Sequence, residues 1–314
     1  MQALLTVAFP VFGIILCGFL ARYCNLMGPY GIRSLNNFVF LFALPALLLI
    51  RVAEAPIDQL FDWRLVASYY SAVVIIFSTT VLLSRFQEGV PLAPASLQGL
   101  CTVWSNSGHL GIPLTITAFG ADALLPTVLV LTFDNIVVAP AVFALIEGDP
   151  ERRGAQEAVI STVLVRLIRN PVIVGVAIGI ALAISDVTLP TPLLTFGELL
   201  GAGAAPCALF ALGASLVGVP VAASGARLTL LSLLKLVAHP LLVWLMLTFV
   251  YPADPRAAAV LVMVAALPTG TSVFVFAQRY ETYVVQSSTV ILASHLGAVL
   301  TVSTILVLLG AGHR

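Results

Sequence analysis

One apolar stretch of the chain is long enough to cross a bilayer but is interrupted in its middle. The interruption runs from Trp104 to Pro113 and reads Trp-Ser-Asn-Ser-Gly-His-Leu-Gly-Ile-Pro. Glycine adds backbone freedom and proline lacks an amide donor, so both weaken a helix interior. In hydrocarbon an irregular backbone is tolerated only where protein buries it or where it lines a polar cavity. The stretch therefore predicts a broken membrane helix and a candidate binding site, with a simple proline kink as the alternative.

The composition of the whole chain is that of a polytopic membrane protein. Its 314 residues are 60% hydrophobic and only 9% charged, and the mean hydropathy is +1.10. A helix of roughly 20 apolar residues crosses about 30 Å of hydrocarbon, and the chain contains about ten such runs separated by short loops. Their approximate bounds are 3–21, 32–50, 65–84, 95–119, 124–146, 159–184, 192–217, 228–250, 257–279 and 284–309.

The charges and cysteines exclude several classes of function. The formal net charge is +0, so the sequence indicates no basic surface for nucleic acid. Cys17, Cys24, Cys101 and Cys207 lack the spacing of a metal or redox site, and we expect neither metal nor cofactor. The segment 1–21 has no basic region and no cleavage site, so we read it as the first membrane helix rather than a signal peptide.

The arginines and the single lysine predict the orientation in the membrane. Short cytoplasmic loops are enriched in these residues, and the odd-numbered loops hold seven arginines against four on the other side. We therefore expect both termini outside the cell membrane. The seven are Arg22, Arg33, Arg85, Arg152, Arg153, Arg227 and Arg279, and the four are Arg51, Arg64, Arg256 and Arg314.

The two halves of the chain repeat each other with a constant offset of 161 residues. The first half, 1–146, holds five predicted spans, which is an odd number. A second copy that follows it directly, 159–314, must then lie upside down in the membrane. This predicts an all-α polytopic membrane protein of two inverted five-helix repeats, as in many secondary transporters. The repeated positions are Pro10 and Pro171, Val11 and Val172, Gly18 and Gly179, and Pro45 and Pro206.

The repeat also predicts a second broken helix. The offset moves residues 105–113 onto 266–274, where the sequence reads Ala-Leu-Pro-Thr-Gly-Thr-Ser-Val-Phe. Spans four and nine are therefore both predicted to be broken, and to cross near the membrane centre. We expect Pro113 and Pro268 to interrupt their respective helices. Paired interruptions of this kind mark the binding sites of secondary transporters.

Polar groups at the two breaks form the candidate substrate site. Asn106 leads the set because its amide offers two donors and an acceptor. Each nearby hydroxyl either contacts substrate or caps a freed backbone group. Helix N-termini beside the breaks favour a bound carboxylate. The candidate substrate contacts are Ser105, Asn106, Ser107, His109, Thr269, Gly270, Thr271 and Ser272, and the helix-breaking residues are Gly108, Gly111, Pro113 and Pro268.

Titratable residues inside the predicted spans are candidates for coupling transport to protons. Asp134 lies in the middle of span five, where an unpaired carboxylate takes up a proton more readily than in water. His295 is its equivalent under the offset; the two either face one polar crevice, form a structural hydrogen bond, or do not touch. Lys235 and His239 share one face of span eight, and we expect Lys235 to snorkel to the inner interface.

The segment from Asn106 to Pro113 resembles the Asn-Ser/Thr-Gly-x-x-Gly-x-Pro signature of the auxin efflux carrier family. The segments 169–171, 205–213 and 267–278 also resemble that family. The resemblance implies substrate contact by Asn106 and transport of weak carboxylic acids, either auxin-like or malonate- and malate-like. It also implies a scaffold domain from spans one, two, six and seven, a transport domain from the other six, and a homodimer formed through the scaffold. His109 fills a position that is often apolar in the family, so no role is implied for it.

These observations predict a secondary transporter, not an enzyme, that moves small organic anions across the bilayer by alternating access. A sodium-coupled organic-anion symporter is the first alternative. A channel is the second, because helix breaks also build selectivity filters. An intramembrane protease would need Ser215 as its nucleophile. That serine is followed by leucine rather than the glycine of rhomboid-like enzymes, and His-Glu-x-x-His is absent.

Overall fold

The computed structural model describes residues 8–54, 62–149, 171–185, 187–218 and 225–309, and within them it is all-helical without a sheet. The predicted all-α class is confirmed. Residues 3–7 of the first predicted span, Arg169 and Asn170 of the family pattern, and the start of the sixth predicted span lie outside the described residues. The helices are α1 Phe9–Tyr23, α2 Pro29–Ala53, α3 Trp63–Phe86, α4 Leu92–Val103, α5 Ile112–Phe119, α6 Leu124–Glu147, α7 Pro171–Ile184, α8 Thr191–Ser215, α9 Ala226–Val250, α10 Pro255–Ala266, α11 Ser272–Arg279 and α12 Val284–Leu308.

Six of these helices, α2, α3, α6, α8, α9 and α12, are long and apolar enough to cross a membrane. Four shorter apolar helices accompany them within the described ranges: α1, α4, α7 and α10. The shortness of α4 and α10 has a local cause, because each ends at one of the two predicted breaks. Some helix bounds differ slightly from the predicted ones: Trp63–Phe86 extends the expected 65–84, and Thr191–Ser215 ends before the expected 217.

Several helices widen by one residue just ahead of a proline. Wide π-type turns cover Val39–Ala43, Ser107–Gly111, Asp134–Val138 and Leu234–Ala238. In each case a proline stands two residues after the turn: Pro45, Pro113, Pro140 or Pro240. Proline offers no N–H to the carbonyl four residues earlier and its ring crowds that carbonyl, so the hydrogen-bond ladder shifts. Four of the polar residues singled out above lie on these turns: Ser107, His109, Asp134 and Lys235.

Glycines allow two pairs of helices to pack with their backbones almost in contact. α1 lies along the second half of α8, and α2 lies along α7. A Cβ atom added to Gly18 would overlap the carbonyl of Phe210, and one added to Gly179 would lie 2.8 Å from the carbonyl of Leu49. Phe210 and Leu49 are 161 residues apart in the chain, and so are Gly179 and Gly18. The packing contacts therefore repeat as the sequence does.

The two broken segments lie in the interior of the bundle. All residues from Ala95 to Gly108 are buried, as are all residues from Val260 to Gly270. Apolar side chains from α4, α6, α9, α11 and α12 form one of the buried clusters around them. Irregular backbone at membrane depth is stable only when shielded from lipid, and this packing provides that shield.

Candidate functional site

The two breaks cross and pair with each other. Ser105 and Thr269 form a single antiparallel bridge. The backbone N–H of Asn106 donates to the Pro268 carbonyl at 3.0 Å, and the backbone N–H of Gly270 donates to the Trp104 carbonyl at 2.9 Å. Backbone groups released by the breaks thus satisfy one another, which a buried irregular backbone requires.

Glycine and proline have different parts in this crossing. A Cβ atom on Gly270 would lie 2.6 Å from Trp104 Cδ1 and 3.1 Å from the Ser105 carbonyl, so only glycine fits there. Pro268 lies within its gap. Pro113, however, is the second residue of α5, after the gap at residues 104–106. The prediction that Pro113 interrupts its helix is therefore wrong in position. The gap precedes the π-type turn Ser107–Gly111, and Pro113 distorts the helix into which that turn continues.

Asn106 contacts His295 at the centre of the crossing. Asn106 Nδ2 lies 3.1 Å from His295 Nε2, and His295 Nδ1 lies 2.7 Å from the Ile291 carbonyl. A carbonyl only accepts, so Nδ1 carries the proton and Nε2 accepts from the amide. Both residues are buried, and the amide oxygen of Asn106 has no partner among the described residues. Both imidazole nitrogens are thus engaged, whereas Asn106 Nδ2 has a second hydrogen that can donate to a ligand beside the gap.

The hydroxyl groups at the crossing divide into caps and contacts. Thr269 Oγ1 donates to the Cys101 carbonyl at 2.7 Å, which caps the freed end of α4. Ser107 Oγ makes a long contact of 3.5 Å to the Ser105 carbonyl. Thr271 and Ser272 are half-buried at the start of α11. The Ser105 hydroxyl instead joins side chains from two other helices.

Lys235 is one of those partners of Ser105, and its position overturns the expectation that it snorkels. The Lys235 side chain is 0% exposed. Its Nζ donates to Ser105 Oγ at 2.9 Å and to the Ala265 carbonyl at 2.6 Å, and lies 3.1 Å from His239 Nδ1. The apolar part of a lysine follows the helix surface, but here the ends of two broken helices offer acceptors that the interface does not. Tyr69 lies on the opposite side of the hydroxyl, with its OH 3.1 Å from Ser105 Oγ.

Asp134 is buried and has a hydrogen-bond partner. Tyr70 OH donates to Asp134 Oδ1 at 3.0 Å and is also 3.0 Å from the Val130 carbonyl. Asp134 also interacts electrostatically with Lys235. Among the contacts of the described residues, none joins Asp134 to His295. The two candidate coupling groups are therefore held by different partners.

The remaining predicted residues lie between the crossing and α2. The half-buried ring of His109 packs edge-on against Phe40, with 4.6 Å between centroids. Gly108 faces the same ring, and an added Cβ would lie 3.4 Å from it. Gly111 faces Leu267 of the other break, where an added Cβ would be 2.8 Å from Cδ1. His109 thus contacts the helix that the family pattern assigns to the scaffold.

Three residues at the site were missed by the sequence reasoning. Tyr69 and Tyr70 bring hydroxyls to Ser105 and Asp134, and Ser294 Oγ accepts from the Thr269 amide at 3.1 Å. Two adjacent tyrosines inside an apolar span were an available signal, because a buried phenol needs a hydrogen-bond partner. Ser294 offered no such signal, since a lone helical serine usually bonds its own backbone.

A cavity of about 480 Å³ opens between α3, α5, α6 and α10. Asp62, Asp122 and Asp254 lie at its polar rim together with Arg256, which pairs with Asp122 at 3.3 Å. Leu65 and Val260 line its apolar part. The cavity contacts the N-terminal part of α10, whereas the crossing lies at the C-terminal end of that helix.

Comparison with known proteins gives a match along nearly the whole chain. A family model described as "Membrane transport protein" matches residues 3–306. The "Putative malonate transporter" of Rhizobium meliloti (strain 1021) is 32% identical over 308 residues, covering 96% of this chain and 95% of that protein. The "Lysosomal cholesterol signaling protein" of Mus musculus is 28% identical over 250 residues, covering 74% of this chain but 28% of that longer protein.

Proposed function

Because the chain belongs to the membrane transport protein family, which is the auxin efflux carrier family that its Asn106 signature resembles, we propose that it carries small organic anions by alternating access. It is a membrane transport protein and not an enzyme. The observation that carries the proposal is the bridge between Ser105 and Thr269, which holds two broken helices together beside Asn106.

The crossing has the chemistry to bind a carboxylate. Helical structure resumes at Ser107 and at Ser272, and the aligned peptide dipoles give both helix N-termini partial positive charge. Some of the first amides already donate within the breaks, as Ser107 does to Ser105 and Val273 does to Gly270. Asn106 adds an amide beside one of these ends. The side chains Ser107, Thr271 and Ser272 remain candidate contacts at the two ends, with Gly270 allowing their close approach.

The substrate class that we propose is a short dicarboxylic acid. The bacterial relative that covers nearly the whole chain is named for malonate. Two helix N-termini on opposite sides of one crossing offer one positive end to each carboxylate. A longer, aromatic weak acid of the auxin type would place only one carboxylate at the crossing.

Repeated contacts support the architecture of two inverted five-helix repeats. Gly18 against Phe210 and Gly179 against Leu49 obey one offset, which is expected if each half builds the same packing. α1, α2, α7 and α8 pack mainly on one another and are the proposed scaffold, through which two copies form a homodimer in the cell membrane with the termini outside. The other helices form the proposed transport domain. They correspond to the predicted spans three to five and eight to ten. Movement of this domain past α2 would carry the crossing between the two faces.

A transport assay tests this function directly. Purified protein in liposomes is loaded with malonate, and uptake of labelled malonate is followed with and without the internal pool. We expect saturable uptake that internal malonate accelerates, and no uptake of the uncharged malonamide. Flux that rises linearly with the external malonate concentration and does not depend on internal malonate would indicate a channel instead. Absence of flux for malonate, malate and an auxin-like acid would overturn the proposed substrate class.

A further inference from the structure

The ammonium group of Lys235 is held on three sides beside the crossing. Its partners are the Ser105 hydroxyl at 2.9 Å, the Ala265 carbonyl at 2.6 Å and His239 Nδ1 at 3.1 Å. An ammonium has three N–H donors and no acceptor, so these partners satisfy it completely. The side chain is fully buried, and this group is a fixed part of the protein interior.

Two of the three partners belong to the C-terminal ends of broken helices. Ala265 is in the last turn of α10, and Ser105 lies two residues beyond the end of α4. The last carbonyls of a helix have no intrahelical partners and carry partial negative charge. In transporters with broken helices, such ends coordinate Na⁺ or H⁺. Lys235 therefore lies where a small monovalent cation would otherwise be favoured.

Neighbouring helices complete the surroundings of this cation. Asp134 on α6 interacts electrostatically with Lys235, and Tyr70 on α3 donates to the Asp134 carboxylate. Tyr69 on α3 shares a hydrogen bond with Ser105. A hydroxyl, a carbonyl and an imidazole nitrogen thus contact a single nitrogen atom, and a carboxylate on α6 interacts with it electrostatically. This set resembles a cation site more than a site for an organic anion.

We propose that Lys235 is a tethered cation that fills a monovalent-cation site at the C-terminal ends of α4 and α10, so that transport requires no bound sodium ion. The inference rests on the proposed transport function and rejects its sodium-coupled alternative. A tethered ammonium stabilises the two helix ends throughout the cycle, whereas a free ion would have to bind and leave. Lys235 acts as a positioning residue through Ser105, without touching the substrate.

Two substitutions separate the charge of Lys235 from its volume. Lys235→Ala removes the ammonium and vacates its space, so Ser105, the Ala265 carbonyl and His239 are left as open ligands. Lys235→Met removes the charge but keeps most of the side-chain length, so the space stays filled. A small cation can enter the first variant and not the second. This difference would not arise if Lys235 only filled space.

The experiment measures malonate uptake into liposomes in sodium medium, in choline medium and in choline medium with methylammonium. Wild-type uptake is expected to be the same in all three. Both variants should lose uptake by about tenfold or more in choline, because the acceptors at the helix ends lose their donor and the buried Asp134 loses the nearby positive charge. Sodium or methylammonium should restore Lys235→Ala severalfold and leave Lys235→Met inactive. Sodium stimulation of the wild type, or wild-type activity of Lys235→Met in choline, would overturn the proposal.

Thermal unfolding in detergent gives a readout that does not depend on transport. The unfolding temperature of the wild type should be the same in sodium and choline, and that of Lys235→Ala should rise with sodium until it saturates. A saturable sodium effect on the wild type would overturn the proposal even if Lys235→Ala fails to fold. If the wild type moves none of the acids tested, the transport function fails, while sodium stabilisation confined to Lys235→Ala would still support the tethered cation.

Discussion

The amide nitrogen of Asn106 and Nε2 of His295 are 3.1 Å apart, although 189 residues separate them in the chain. The pair joins the first break to the last helix, α12. Because His295 Nδ1 is engaged by the Ile291 carbonyl, the ring orients the amide, whose second Nδ2 hydrogen can donate to a substrate carboxylate. The substrate site that we propose is therefore prepared by contacts between the two halves of the chain.

Asn106→Ala should weaken malonate binding while leaving a folded protein. A hydrogen bond to a charged group contributes about 1.5–3 kcal/mol, so the affinity should fall by roughly 10- to 150-fold. Binding is measured by calorimetry or by ligand-dependent thermal stabilisation. Asn135→Ala is the matched control, because the Asn135 amide bonds only the Leu131 carbonyl of its own helix. Wild-type affinity in Asn106→Ala would place the site elsewhere.

The sequence predicted the crossing better than it predicted the groups around it. Proline and glycine act on the backbone within a few residues, so the break near residue 105 is visible in a local pattern. The position of Pro113 shows the limit, because proline is compatible both with a break and with a distorted helix that continues after one. The offset of 161 residues added the second break, which no local pattern identified alone.

The surroundings of Lys235 and Asp134 could not be predicted in the same way. Lys235 bonds groups 30 and 130 residues away in sequence, and Tyr70 is 64 residues from Asp134. A lysine near a helix end can reach the membrane interface by snorkelling, or it can be buried where unpaired backbone carbonyls accept its hydrogen bonds. Only the packing of α9 beside the break decides between them, and that packing involves several helices at once.

Thr269→Val should lower stability without weakening substrate binding. Its hydroxyl caps the Cys101 carbonyl at 2.7 Å, and valine keeps the shape but leaves that carbonyl unpaired. The expected loss is about 1–3 kcal/mol of unfolding free energy, seen as a lower unfolding temperature. Thr304→Val is the control, because Thr304 is exposed and its hydroxyl bonds a carbonyl within its own helix. Unchanged stability with weaker malonate binding would instead make Thr269 a substrate contact.

Gly270→Ala should disrupt the crossing, whereas Gly108→Ala should be tolerated. The new methyl group at position 270 would meet Trp104 Cδ1 at 2.6 Å, while the one at 108 meets Phe40 Cε1 at an ordinary 3.4 Å. Overpacking of this kind costs about 1–3 kcal/mol. The unfolding temperatures of the two variants are compared with the wild type. Equal stability of the two variants would argue against the close contact between the breaks.

Gly18→Ala and Gly179→Ala should destabilise the protein, because they occupy repeated positions in the helix packing. Gly18 approaches the Phe210 carbonyl and Gly179 the Leu49 carbonyl, so each methyl group would separate two backbones. Gly13→Ala is the control on the same helix as Gly18, since nothing lies within 4 Å of its added Cβ. A fall in unfolding temperature for only one of the two repeated glycines would weaken the case for an inverted repeat.

The last prediction concerns the pH dependence of binding and tests Asp134 as a coupling group. A substrate dianion that binds near an ionised Asp134 is repelled by it, so binding favours the protonated carboxyl and draws in a proton. Wild-type affinity should then weaken as the pH rises. Asp134→Asn keeps an acceptor for Tyr70 but cannot ionise, so its affinity should vary less with pH. The measurement is malonate affinity against pH for both proteins, with Tyr70→Phe as a control that removes the hydrogen bond but keeps the carboxylate. Parallel curves for wild type and Asp134→Asn would exclude Asp134 as the linked group. His295→Gln, which retains an acceptor for Asn106, would then be tested in the same way.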